Sequence, residues 1–383
     1  MRKNYRNNTK QLSTVEKTGS ILFKAIRLLV GLVFVFSGFV KAIDPLGFTY
    51  KIEDYFNAFG GVFQSLAILA FAASIALSTL ELVIGLNLIF KIKIKLTLII
   101  SLLFMMVMTP LTLYVAIANP VTDCGCFGDA LLISNWATFY KNIVISALLI
   151  LLLVFNKKIH PLLLPNAQRA TFLFFIATGV ALSAYCYRHL PLIDFRPYKV
   201  GVNIPAAMVI PNGAPADKYT TTFIYQKNGK EKEFTLENYP KGDSTWVFVD
   251  QKSVLVSKGY QPSIHDFSIV NSDYVDITED ILTYPAHTFL LIMYDINKSS
   301  EEGAKLAEVI YRQTLKSGVK FYALTGSSDD EVANFKKKTG ITFQFYKTDP
   351  ITLKTMVRAN PGLVLLKNGT VLGNWNWRDF LDE

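Results

Sequence analysis

Apolar positions in the first half of the chain are bunched into long runs, and the polar positions collect in the short stretches between them. Five runs stand out: Ile21 to Ile43, Phe63 to Phe90, Leu96 to Ala118, Phe139 to Phe155 and Ala170 to His189. A hydrocarbon core of about 30 Å is crossed by roughly 20 helical residues, and each run is bounded by charge or by Pro, Gly or Asn. Amphipathic core helices would place their apolar residues on one face only, so the five runs predict a polytopic membrane bundle. Residues 1–20 form a polar, basic arm, and the first run is longer than the core of a signal peptide, so it is expected to remain as an anchor.

After Leu190 the pattern becomes that of a water-soluble domain. Residues 191–259 read as a Pro-rich tether followed by a small β-rich region. There "TTTFIYQKNGKEKEFTL" alternates around Asn228 and Gly229 as a hairpin, and "TWVFVDQKSVLV" supplies another strand. From Tyr260 strands and helices alternate. A strand, polar turn and helix start are expected in residues 262–282, a buried strand in "HTFLLIMYDI", and an amphipathic helix capped by Ser299 or Ser300. Strands "VKFYALTG" and "ITFQFYKTDP" flank the helix "SDDEVANFKKKTG", and a last helix leads to Pro361 and a hairpin turning at Asn368 and Gly369. The expected fold class is multi-domain, an α-helical membrane bundle followed by an α/β domain.

Charge gives the bundle a direction. The arm and first run carry Arg2, Lys3, Arg6, Lys10, Lys17, Lys24 and Arg27; Lys91, Lys93 and Lys95 follow the second run, and Lys157, Lys158 and Arg169 follow the fourth. The alternate connections are poor in base, with Asp44, Glu53 and Asp54 against Lys51 in one and only Asp123 and Asp129 before Lys141 in the other. The positive-inside rule then puts the N-terminus in the cytoplasm. Everything after His189 is expected outside, together with residues 121–130, as in a bacterial inner-membrane protein with a periplasmic C-terminal domain. The net charge of +9 is thereby largely topogenic; the lipid bilayer is the implied partner, and a nucleic acid is not.

That orientation gives the cysteines their meaning. Cys124 and Cys126 stand one residue apart in "VTDCGCFGDA", and Cys186 lies at the outer end of the fifth run. Outside the cytoplasm disulfides persist and dithiol pairs are redox-active. A bridge across one intervening residue closes a strained ring that is readily reduced, and Gly125 eases its backbone demand. Three readings stand: a static structural bridge or simply buried small cysteines in a tight turn, thiol–disulfide exchange by Cys124 and Cys126 with Cys186 as a third partner, and a zinc or copper site using Cys124, Cys126, Cys186 and His189. Within the second run, Glu81 needs a partner or a cavity; Lys41, Asn87 and Asn142 are the candidates, and proton handling, ligand binding and a polar clamp between helices all fit. Lys41 with Asp44 reads as an interfacial anchor. Pro110 is expected to kink the third run, with Thr109 and Thr112 serving the freed backbone groups.

The stretches "RLLVGLVFVFSGFVKAIDP", "LELVIGL" and "DCGCFGD", followed by Trp136 and "YKN" at residues 140–142, resemble the DoxX-like membrane proteins, and most closely the MauE branch. The resemblance covers residues 21–155, leaving residues 156–190 as a cytoplasmic loop and the fifth span. It implies a four-helix membrane module associated with maturing a disulfide-rich periplasmic partner. Residues 260–383 resemble a thioredoxin-like domain of the TlpA or peroxiredoxin type, with Pro361 at the family's cis-proline position. In active members a Cys-x-x-Cys pair opens the helix after the strand matching "FLLIMYDI"; here that place reads "NKSSEEG", and no cysteine follows Cys186. What survives is a scaffold that can hold an extended peptide beside Pro361, or simply a fold reused for docking.

Two functions remain. One is a redox-maturation factor in which the CGC pair exchanges disulfides with a periplasmic protein bound by the thioredoxin-like domain. The other is a non-catalytic, membrane-anchored assembly protein with a structural bridge. No flavin or quinone motif occurs, so no cofactor is expected.

Overall fold

The structure is a computed structural model that describes residues 2–380 except 122, 157, 158, 160, 258 and 266. Lys157 and Lys158 therefore lie outside the described residues. Helix α1 (Arg2–Ile43) carries the basic arm and the first apolar run in one rod. After α2 (Pro45–Phe59) and the short α3 (Val62–Ser65), a 3₁₀ turn leads into α4 (Ala70–Phe90). Helices α5 (Ile94–Ala118), α6 (Asn135–Val154) and α7 (Pro165–Arg188) complete the bundle. Among the described residues, five helical segments are long and apolar enough to cross a membrane: Ile21–Ile43, Val62–Phe90, Ile94–Ala118, Asn135–Val154 and Pro165–Arg188.

Lipid tails are as apolar as leucine, so helices in a bilayer associate through close packing rather than through the hydrophobic effect. Helices α1 and α4 do this through glycine: a side chain on Gly38 would collide with the Leu82 backbone, and one on Gly85 with the backbone of Gly31 and Val35. At the far end of the same contact the Arg27 guanidinium donates to the Leu88 and Ile89 carbonyls, which end α4 without helical partners. Val30, Phe34, Ile84, Leu98, Met105 and Leu149 fill the centre between α1, α4, α5 and α6. Helix α7 packs outside this group, with Gly179 against Thr79 and Phe175 against Val83.

The hydropathy pattern does not predict α2. It is a short amphipathic helix, begun by Asp44, whose carboxylate accepts from the Gly47 amide, and by Pro45 in the first turn. It buries Pro45, Thr49 and Ile52 and exposes Asp54 and Asn57.

Beyond α8 (Ile204–Met208) come two sheets. The first is antiparallel, in the order β2 (Lys230–Thr235), β1 (Lys218–Lys227), β3 (Val247–Ser257). Its tight hairpin has positive φ at both Asn228 and Gly229, as the twist of a two-residue turn requires. After α9 (Thr278–Leu282), the second sheet is built from β4 (His287–Ile292), α10 (Glu301–Ser317), β5 (Lys320–Thr325), α11 (Asp329–Thr339), β6 (Phe345–Lys347), α12 (Pro350–Met356), β7 (Gly362–Lys367) and β8 (Thr370–Asn376). Its order is β6-β5-β4-β7-β8, parallel across β4, β5 and β6 and antiparallel at β7 and β8. Leu290 and Ile292 face one core, and Leu291 and Met293 the other. This alternation is the two-residue period of a strand covered on both faces. Ser300 caps α10, and Ser328 with Glu331 forms a capping box on α11. The strand expected at the start of residues 262–282 is absent; Val270 makes only isolated bridges with Asp276 and Lys347, because β6 is too short to extend a ladder to it.

The α/β domain rests on the membrane module. Arg358, just after α12, bonds Asp44 at the α1–α2 corner and Asp129 in the loop between α5 and α6. The Tyr50 hydroxyl donates to that of Tyr294 at 3.0 Å, and His189 pairs with Asp379 at 2.7 Å.

Candidate functional site

The loop between α5 and α6 is held in a single shape by its neighbours. The Gly125 amide donates to the Asp123 carboxylate at 2.9 Å, Gly125 takes a positive φ of 63°, and the Gly128 amide closes the turn on the Gly125 carbonyl. Lys51 on α2 pairs with Asp123 at 2.7 Å, and the Tyr55 hydroxyl donates to the Cys124 carbonyl at 3.0 Å. From α1, the Ser37 hydroxyl lies 2.8 Å from the Cys126 carbonyl. Helix α2, which hydropathy overlooks, thus supplies two of the loop's anchors.

This shape brings the Sγ atoms of Cys124 and Cys126 to 3.1 Å from each other, both as free thiols and both buried. Thr138 on the first turn of α6 places its hydroxyl 3.2 Å from Cys124 Sγ. The environment separates the two thiols. The hydrogen bond with Cys126, then those with Thr138 and the Cys126 backbone, with the charge of Lys141 behind them, lower Cys124 to about 6 against the opposing effect of burial. Cys126 moves up, since it gives its proton to that hydrogen bond and is the more deeply buried of the two. Cys124 is thereby the more readily ionised thiol of the two and Cys126 the one held protonated. Replacing Thr138 with Val should therefore move the midpoint of Cys124 alkylation, followed against pH with iodoacetamide, above that of the native chain. An unchanged midpoint would show that the hydroxyl has no part in holding the thiolate.

Cys186 is not part of this constellation. It is buried on α7, beside the Leu192 backbone, outside the cluster that holds Cys124 and Cys126 with Val115. Among the described residues no three His, Cys, Asp or Glu side chains are placed to hold a metal ion. The set Cys124, Cys126, Cys186 and His189 is thus not assembled, and His189 is engaged with Asp379 instead. Chain direction at the end of α7 suggested a nearness that helix packing does not produce.

Directly beneath Cys126, Glu81 is paired with Lys41, whose Nζ lies 2.8 Å from both carboxylate oxygens. The Ser37 hydroxyl is 2.6 Å from Glu81 Oε2 and 3.1 Å from Lys41 Nζ. Lys41 is buried rather than interfacial, and Asp44 turns away from it toward Arg358. Asn142 donates to the Thr112 hydroxyl at 3.1 Å, while Asn87 is buried on another face of α4. A cavity of about 30 Å³ is bordered by Ser37, Lys41, Glu81, Cys126, Lys141 and Asn142. A larger chamber of about 260 Å³ separates the loop from the α/β domain and is bordered by Lys41, Asp44, Lys51, Gly125, Asp129 and Arg358.

Residues 19–155, which contain the loop, Thr138 and the Lys41–Glu81 pair, match the family model for methylamine utilisation protein MauE. The membrane module is similar to that family over this stretch. Residues 219–258, the three-stranded sheet, match a domain of unknown function, DUF8463. No curated protein and no solved structure matches the chain. In the membrane module, Ser37, Tyr55, Thr138 and Lys141 escape a reading of the sequence because each is an ordinary residue until packing brings it to the cysteines. Only Lys141 leaves a trace, as a cation just inside an apolar run; its ammonium lies 4.6 Å from the centre of the Phe127 ring.

Pro361 lies three residues beyond Arg358, is buried, and follows Asn360 through a cis bond. The Asn360 side chain donates to the Asp295 carbonyl, and the Ser300 amide to the Asn360 carbonyl.

Proposed function

We propose that the chain is a membrane-bound thiol–disulfide exchange protein in which Cys124 attacks and Cys126 resolves, on the periplasmic side of a bacterial inner membrane. The observation that carries this reading is the pair of free sulfurs 3.1 Å apart with unequal surroundings, one stabilised as an anion and the other kept protonated. An exchange couple needs that division of labour, because the thiolate is the nucleophile; a bridge that only fastens a loop does not. The distribution of Lys and Arg between the connections supports the orientation.

The strand order β6-β5-β4-β7-β8 supports a thioredoxin-like reading of residues 260–383. With no cysteine after Cys186, this domain takes no covalent part; its role is to cover and shape the approach to the loop, using the face beside Pro361. A periplasmic protein or a smaller disulfide-bearing molecule would be the substrate.

The test is a trap. In intact cells, Cys126→Ala should leave Cys124 joined to its partner as a mixed disulfide, seen as a shifted band on a non-reducing gel that a reductant abolishes, whereas Cys124→Ala should give none. Equal behaviour of the two variants, with no adduct from either, would remove the exchange reading and leave the non-catalytic assembly role.

A further inference from the structure

Cys126 poses a problem that the exchange reading leaves open. It must lose its proton before it can attack the mixed disulfide on Cys124, yet it is buried and its thiol is held protonated. At neutral pH hydroxide is scarce, so that it deprotonates a buried thiol only slowly. A base has to lie within reach inside the protein.

Among the described residues, one carboxylate borders the cavity next to Cys126, and it is Glu81. The cavity's volume of about 30 Å³ accommodates a water molecule, and Ser37, Lys41, Lys141 and Asn142 on its otherwise apolar wall would help hold one between the thiol and the carboxylate. The Ser37 hydroxyl offers a second link, since it lies within hydrogen-bond distance of both the Cys126 carbonyl and Glu81. The charged and titratable groups facing Glu81 are Lys41 from α1, Lys141 from α6 and Cys126 from the loop. Helix α5 presents only apolar side chains there, and α2 and α7 meet α4 elsewhere, at Ser74, Thr79 and Val83. Lys41 borders both this cavity and the larger chamber above it, which gives a proton taken up at Glu81 an exit.

Resting on the exchange reading, we propose that Glu81 is the proton acceptor for Cys126 in the resolving step, with its partner Lys41, which borders both cavities, relaying the proton outward. The Cys124 thiolate attacks a disulfide RSSR, forming Cys124–S–S–R and expelling RS⁻. Glu81 takes the Cys126 proton through the intervening water. The Cys126 thiolate then attacks Cys124 sulfur, forming the Cys124–Cys126 bridge and expelling the second RS⁻. Two thiols are oxidised, one disulfide is reduced, and the two thiolates leave with the proton that Glu81 releases and with the one that Cys124 had already given up.

Full-length protein in detergent, carrying Cys186→Ala to silence the third thiol, is mixed with 4,4′-dithiodipyridine, and the thiopyridone released is counted by absorbance. The native pair should release two equivalents in quick succession. Glu81→Gln should release the first at the native rate and the second at least tenfold more slowly, and that second phase should rise about tenfold per pH unit as hydroxide becomes the only base. The double variant Lys41→Met/Glu81→Gln, which leaves no unpaired charge in the bundle, should stall in the same way, and Cys126→Ala should stop at one equivalent. In each variant a native first phase certifies an intact site. A second equivalent released by both Glu81 variants at the native rate and pH dependence would overturn the assignment to Glu81 while leaving the exchange reading in place. A native protein that releases nothing would overturn both.

Discussion

Replacing Arg358 with Met should loosen the α/β domain from the membrane module at a cost on the order of 3 kcal/mol. The guanidinium is buried and holds Asp44 through Nε at 2.9 and 3.0 Å and Asp129 through Nη2 at 3.0 Å. Its loss leaves two carboxylates facing each other under a protein lid. Asp44 dominates the cost, since Asp129 is 39% exposed and water screens it. Thermal melting in detergent, combined with the rate of proteolysis in the connection after α7, reports the change. Adding Asp44→Asn and Asp129→Asn to the Arg358→Met chain should recover most of the loss by removing the stranded charges. A melting curve and cleavage rate unaltered by Arg358→Met would mean that the domain is held by other contacts.

Lys41→Met should be more damaging still, at about 3–5 kcal/mol. Here both partners of the ion pair are almost wholly buried, with side chains 3% and 4% exposed, and they sit inside the membrane-spanning bundle, where an abandoned carboxylate is poorly solvated. The reciprocal variant Glu81→Gln leaves an ammonium instead, but one that can still donate to the new amide and to Ser37, so its cost should be smaller. Replacing both, as Lys41→Met/Glu81→Gln, should come closer to the native chain than Lys41→Met alone, because coupled neighbours do not add. Chemical denaturation of the solubilised protein, comparing midpoints for the three variants, measures this. Additivity of the two single effects would show that the pair does not act as a unit.

The bundle was legible because its signal is massive: a run such as Leu96 to Ala118 has no competing explanation, and α5 follows it within two residues. Most of the α/β domain was legible from local chemistry, since Ser300 dictates a cap and Asn368-Gly369 a turn by themselves, as Asn228-Gly229 does in the small sheet before it. What escaped was short or depended on packing. Helix α2 is too short and too mixed in polarity to be seen by hydropathy, and the segment around Val270 has the composition of a strand without a neighbour long enough to pair with it. At the site, the two cysteines and Glu81 announced themselves as unusual residues in unusual places. Glu81 had three candidate partners on paper, and the glycine contact between α1 and α4 decides among them by bringing Lys41 alongside. Arg358 had no signal, being one basic residue after a helix, and only the docking of two domains gives it two aspartates to hold.

That docking has a consequence for any partner of the α/β domain. The surface carrying Tyr294, Lys354 and Arg358 is already occupied by Tyr50, Asp44 and Asp129 of the same chain. The two parts are joined by the short stretch after Arg188, so the module is present to that surface at an effective concentration on the order of millimolar. An outside molecule at micromolar levels can displace it only by binding about a thousandfold more tightly than the module does. Occupancy of this face therefore works as a threshold: weak visitors never see it, and a ligand strong enough to take it also uncovers the cysteine loop.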